Sequence, residues 1–136
     1  MIKIIKYISK DTIDKGTAIQ NLSKTVKDEI EVFYKELHAK FEAHGKIWKG
    51  CIDNLWAVGP KGVNNNILVN NIPGYERRSI WEGLVEGSSD RTCRTMREYD
   101  NSVITGFQLA VQSGPICEEP LMGVAFFVED WRHEGK

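Results

Sequence analysis

Residues 101–131 constrain the fold more than any other part of this chain. They read N-S-V-I-T-G-F-Q-L-A-V-Q-S-G-P-I-C-E-E-P-L-M-G-V-A-F-F-V-E-D-W. Val103, Ile104, Phe107, Ala110 and Val111 recur at the spacing of one helical face, so this face is expected to be buried. Asp100 or Asn101 is expected to cap the helix start, since a short polar side chain there can accept hydrogen bonds from the free amides. Ser113-Gly114-Pro115 is expected to stop the helix, because proline cannot continue it. A polar corner with Cys117, Glu118, Glu119 and Pro120 follows. The run from Val124 to Val128 is too apolar and β-branched for a free loop and predicts a strand buried on at least one face. A helix turning back onto a strand needs more sheet and a second helix beside it.

The second helix is expected over residues 23–44. Val26, Ile30, Phe33, Leu37 and Phe41 step by four and three, with Ser23 as cap and Gly45 as stop. Trp48 prolongs that apolar face, in a second short helix. Asn54 to Val58 predicts a strand ending at Gly59-Pro60, and Asn66 to Asn70 a short strand that is apolar in the middle and polar at both ends. Residues 2–14 fit a helix somewhat better than a strand, with Gly16 breaking it.

Residues 71–98 have no sustained period and hold Pro73, Gly74, Gly83, Gly87, Ser88 and Ser89, which predicts a long mobile insertion. Arg77, Arg78, Arg91, Arg94 and Arg97 gather there, while the lysines lie mostly elsewhere. Guanidinium forks suit phosphate and carboxylate, so these arginines, with Trp81 among them, are the candidate binding residues. Glu76, Glu82, Glu86, Asp90 and Glu98 offset their charge, and a solvated loop is the competing reading.

Composition narrows the classes. With 136 residues the chain is one domain or a piece of one. A formal net charge of −1 gives no global field for nucleic acid, and no apolar run is long enough to span a membrane. The start is too short and lysine-broken for a secretory signal. Cys51, Cys93 and Cys117 have no metal-ligand spacing, and their odd number fits a reducing, cytoplasmic setting. The chain opens on an apolar stretch and ends soon after a core strand, as expected of a part cut from something longer.

Chemistry is sparsely signalled. No phosphate-binding Gly-x-x-x-x-Gly-Lys-Ser/Thr occurs; Gly45-Lys46 and Lys61-Gly62 lack its spacing. Cys117 beside Glu118 and Glu119 could be read as a nucleophile with acid–base help, but neighbouring carboxylates disfavour the thiolate, and a small buried side chain at the corner is the simpler expectation. His38 and His44 are six apart and make a poor metal pair; with His133 they are expected to face solvent. Trp48, Trp56 and Trp131 are expected to be core or half-buried anchors. Gly106 costs roughly 1 kcal/mol relative to alanine inside a helix, so close approach of another backbone, most simply a strand, is expected there.

Four blocks carry a resemblance. W-A-V-G-P at 56–60, N-I-L-V-N at 66–70, N-S-V-I-T-G-F-Q-L-A at 101–110 and G-P-I-C-E-E-P-L-M-G-V at 114–124 occur in an order that resembles domain IV of the elongation factor 2 group of translational GTPases; D-T-I-D-K-G at 11–16 resembles that domain's first helical segment. The corner E-P-L-M-G and the strand I-L-V-N are more similar to the ribosome-maturation branch than to elongation factor 2 itself, which remains the alternative. The resemblance implies an α+β fold: a two-layer α/β sandwich with a left-handed crossover, two main helices and an incomplete sheet. It implies that residues 1–136 are a partial domain IV and non-catalytic. GTP and magnesium would be bound by a GTPase domain elsewhere in the full protein. The implied partners are the large ribosomal subunit, ribosomal RNA and the Shwachman-Bodian-Diamond partner protein, with release of an anti-association factor as the outcome. No residue of the family's catalytic or tip loops has a match here. The rival from another class is a small cysteine-dependent enzyme using Cys117.

Overall fold

A computed structural model describes residues 23–60, 66–75, 79–81 and 97–132 of the chain. Helix α1 spans Lys24–Ala43 and is followed by a single 3-10 turn, Lys46–Trp48. Strand β1 is Leu55–Gly59, β2 is Asn66–Asn70, helix α2 is Arg97–Gln112 and β3 is Ala125–Val128. The expected helical segment at 2–14 lies outside the described residues.

The sheet has the order β1-β2-β3. β1 runs antiparallel to β2, with Val58 opposite Ile67 and Gly59 opposite Asn66. β2 runs parallel to β3, with Leu68 opposite Phe126 and Val69 opposite Phe127. A parallel neighbour demands a crossover, and α2 lies within it.

Side chains alternate across a strand, and the two cores follow that alternation. Leu55 and Val69 join Ile30 and Phe33 of α1 in one core, with Cys51, Ile52 and Trp81; Val58, Ile67 and Phe127 pack at its edge. Trp56, Ala57 and Leu68 join Phe107 and Val111 of α2 in the other, with Phe126 and Val128 beside them. The described unit is thus α+β with two helices and a three-stranded mixed sheet, but the helices cover opposite faces. Among the described residues each helix packs on its own face of the sheet, and the central positions of β2 are apolar because both faces are covered. The register shifts between Leu55 and Ala57. This inserts one residue, so Trp56 and Ala57 both serve the α2 side.

α1 buries the stripe its sequence marks: Ile30 and Phe33 are buried, with Val26, Leu37 and Phe41 packed beside them. Trp48 continues it, edge-on to Phe41 at 5.3 Å and tilted against Phe127 at 5.8 Å. Ser23 occupies the cap position, but its side chain makes no capping hydrogen bond. Glu31 and Lys35 form their four-apart pair at 3.7 Å.

α2 begins earlier than its polar residues suggest. Asp100 lies inside the helix, buried, and accepts a hydrogen bond from the Tyr75 hydroxyl; its part is tertiary, not capping. Phe107 and Val111 are buried and Val103 and Ile104 half-buried, whereas Ala110 faces solvent. Phe107 meets Phe126 edge-on at 5.6 Å.

The close approach expected at Gly106 is found elsewhere. A Cβ on Gly106 would have no atom within 4 Å, so nothing in the described residues crosses there. The tight crossing is at Gly59, where a Cβ would stand 2.8 Å from Gln108 Oε1 and 2.9 Å from Phe107 Cε1. Gln108 Nε2 also donates to the Val58 carbonyl at 2.8 Å, fastening α2 to β1. Substituting the two glycines therefore has opposite consequences. Gly59→Ala is expected to cost about 1–3 kcal/mol by overpacking. Gly106→Ala is expected to add about 0.5–1 kcal/mol through helix propensity. Urea midpoints of the two variants, moving in opposite directions from the parent, check both.

Candidate interaction surface

The corner between α2 and β3 is exposed but firmly held. The Gly114 amide donates to the Glu119 carbonyl at 2.7 Å, closing a loop with Ile116 and Cys117 at its tip. The Leu121 amide donates back to the Val111 carbonyl at 2.8 Å. Asn66, fully buried, then pins the corner to the sheet. Its Nδ2 donates to the Leu121 carbonyl at 2.7 Å and the Gly59 carbonyl at 3.2 Å, and its Oδ1 accepts from the Val124 amide at 3.0 Å. Glu118, at φ 55, and Gly123, at φ 72, supply the left-handed bends. On this frame Ile116 is 92% exposed, Met122 71% and Leu109, on the last turns of α2, 63%. Large apolar side chains are thus held open on a hydrogen-bonded backbone here; Ile47, at 77%, and Val32, at 57%, are exposed away from this corner.

Cys117 stands on this tip, exposed, where a buried side chain was expected. Cys51 is the buried thiol; burial pushes it up to about 11, which leaves it protonated and unreactive near neutral pH.

The sequence candidates fare differently. Arg77, Arg78, Arg91 and Arg94 lie outside the described residues; Arg97 opens α2, and its side chain also lies outside them. Trp81 is not a surface binding residue. It is 2% exposed, its Nε1 donates to the Ile52 carbonyl at 2.8 Å, and its ring packs against Phe33 and Tyr34. The Ile80 amide donates to the Leu55 carbonyl, so residues 79–81 belong to the core beneath α1. Residues 71–75 are likewise tied down, with Asn70 Nδ2 donating to the Tyr75 carbonyl and Asn70 Oδ1 accepting from the Ile72 amide. With residues 97 and 98, which open α2, these are the described parts of the stretch expected to be a mobile insertion.

A second polar group escaped the sequence reading. Tyr34, His38 and Glu42 are four apart on α1, and Asp53 reaches them from the turn before β1. Tyr34 Oη donates to Asp53, His38 Nε2 lies 3.4 Å from the same carboxylate and His38 Nδ1 lies 3.6 Å from Glu42. His38 is thus half-buried and engaged, where a solvent histidine was expected. His44 is exposed, with Nδ1 at 2.6 Å from the Lys40 carbonyl. Among the described residues no His/Cys/Asp/Glu group could hold a metal ion. Gly45-Lys46 forms the start of the single 3-10 turn, not a strand-to-helix phosphate loop.

The chain is similar in sequence to known proteins. The profile described as "Elongation factor-like GTPase 1-like domain" matches residues 1–71. The human "Elongation factor-like GTPase 1" is 43% identical over 98 residues, 71% of this chain and 9% of that protein. Its mouse counterpart is 35% identical over 122 residues, 88% of this chain and 10% of the relative. "Ribosome assembly protein 1" of Saccharomyces cerevisiae is 30% identical over 130 residues, 94% of this chain and 10% of that protein. No solved structure matches. The class these matches define is that of domains found in elongation factor-like GTPases, and the chain spans about a tenth of the length of the curated relatives it matches. Within that class, the chain belongs to the elongation factor-like GTPase 1 family.

Two outcomes follow from the geometry. Burial first, then the hydrogen bond to Asp53 and its charge, push the Tyr34 hydroxyl up to about 12. A raised value favours the protonated form on folding, so this contribution is intact below pH 10 and is lost as pH climbs through about 12. Ultraviolet titration is expected to show a late tyrosinate step that Tyr34→Phe removes and Asp53→Asn moves only part of the way down, since burial remains. In a Cys93→Ser background, a thiol reagent is expected to label Cys117 at once and Cys51 only on unfolding, with Cys117→Ser abolishing the fast phase.

Proposed function

We propose that this chain is a non-catalytic contact module of a ribosome-maturation GTPase. In the intact protein it bears on the large ribosomal subunit and couples GTP hydrolysis elsewhere in the molecule to release of an anti-association factor. GTP and magnesium are then held by a separate GTPase domain, and the Shwachman-Bodian-Diamond partner protein acts with it on the same subunit. The arginines of residues 77–97 are the proposed contacts to ribosomal RNA.

The observation that carries this reading is the match to relatives named elongation factor-like GTPase 1 and ribosome assembly protein 1 along most of the chain. The fold supports it: both sheet faces are roofed and the corner is braced by buried hydrogen bonds, as suits a rigid arm that transmits displacement. The cysteine-enzyme alternative lacks comparable support, because Cys117 sits on an open tip beside two carboxylates.

Replacing residues 45–131 of the intact protein by a flexible linker tests the proposal. Release of the anti-association factor from purified large subunits is expected to fall at least tenfold, while GTP hydrolysis without subunits persists. Undiminished release would overturn it.

A further inference from the structure

The outward face of α2 has a chemistry unlike that of α1. α1 carries Lys24, Asp28, Glu29, Lys35, Glu36 and Lys40 on its exposed side, with Val32, 57% exposed, set among these charges. From residue 101 to residue 117 the chain has no charged side chain at all. Its exposed positions there include Ser102, Thr105, Gly106, Leu109 and Ala110. The Thr105 hydroxyl turns back to donate to the Asn101 carbonyl at 2.7 Å, so even that polar group is engaged within the helix. Leu109, Ile116 and Met122 stand exposed at the end of this helix and on the corner that follows.

Gly106 sharpens the point. It weakens an exposed helix interior, and nothing within the described residues approaches it. Without a side chain, it leaves a flat, open place on the helix. The first charges met beyond the face, Glu118 and Glu119, are both exposed carboxylates. A surface that grips RNA needs cations to neutralise phosphate, and here the nearest charges following the helix are repulsive to it. Apolar knobs flanked by carboxylates match instead a protein groove that is apolar inside and edged by lysine or arginine.

We infer that the outer face of α2 and the corner at residues 114–122 form a protein-docking surface, occupied by a protein component of the large ribosomal subunit whose apolar groove is rimmed by basic residues. This rests on the proposed function for the identity of the subunit, and it separates this face from the RNA contacts proposed for the arginines.

The test uses the intact protein and salt-washed large subunits. A benzophenone amino acid in place of exposed Gln112, at the rim of the face, is irradiated in the bound complex. The adduct is expected to survive nuclease and to be destroyed by protease. Ile116→Ser with Met122→Ser is expected to weaken subunit binding at least tenfold with an unchanged melting temperature. Gly106→Met fills the flat place; it is expected to leave the protein as stable or more so, yet weaken binding at least fivefold. Opposed effects on stability and binding are what a purely structural glycine cannot produce. An adduct on RNA, no adduct despite binding, or variants that bind like the parent would overturn this inference while leaving the proposed function standing. Failure of the unaltered protein to bind subunits would overturn both.

Discussion

The buried carboxamide of Asn66 is the joint on which the rest depends. It lies where three pieces of chain meet: the end of β1, the start of β2 and the approach to β3. Gly59 and Leu121 offer it carbonyls and Val124 an amide, and it satisfies all three. A buried amide so bonded is specific in a way that apolar packing is not, because any slip in register would leave several polar groups without water or partner. Asn70 does the same at the far end of β2, turning the chain toward Tyr75. The central strand is therefore clamped at both ends, and its middle residues are free to be wholly apolar.

That arrangement explains how one short strand can serve two cores. Ile67 and Val69 look toward α1, while Leu68 looks toward α2. The irregularity after Leu55 then lets Trp56 and Ala57 both face α2, which widens the apolar floor under Phe107 and Val111. Gly59 completes the fit by letting α2 come close to the end of β1. The corner beyond α2 inherits its rigidity from the same clamp, since Leu121 and Val124 are held through Asn66.

Periodicity made the two helices and three strands of the described residues legible, and the four sequence blocks made the family legible. What periodicity could not reveal was which face of the sheet each helix would cover, because a continuous apolar strand is consistent with one roof or two. It also misassigned particular side chains. Trp81 looked free because its neighbours are glycines and charges, yet a tryptophan with its N–H satisfied by Ile52 is a core residue. Cys117 was expected to be a small buried side chain at the corner, yet the Gly114–Glu119 closure leaves it on an exposed tip. Asp100 looked like a cap, and Tyr75 from a distant turn claims it. Each miss is a case where a partner remote in sequence decided the environment. The Tyr34, His38, Glu42 spacing was readable as one helical stripe; only Asp53, brought in by the turn before β1, gave it meaning.

The two helices show how apolar periodicity and outward chemistry carry separate information. Both bury an apolar stripe on the sheet, so by that criterion they are equivalent. Their other faces differ: α1 exposes mostly lysine, aspartate and glutamate, with Val32 among them, and α2 from residue 101 on exposes only uncharged side chains, Leu109 the largest apolar one. Charge on a solvent face costs little and keeps a protein apart from its neighbours. A helix that carries no charge after Asp100, and accepts an unsupported glycine in addition, is not explained by its own fold alone. The same reasoning accounts for the corner, where hydrogen bonds are fully used to hold leucine-sized side chains in water. Folding alone would favour the reverse, so contact with another surface is the constraint that makes the arrangement intelligible.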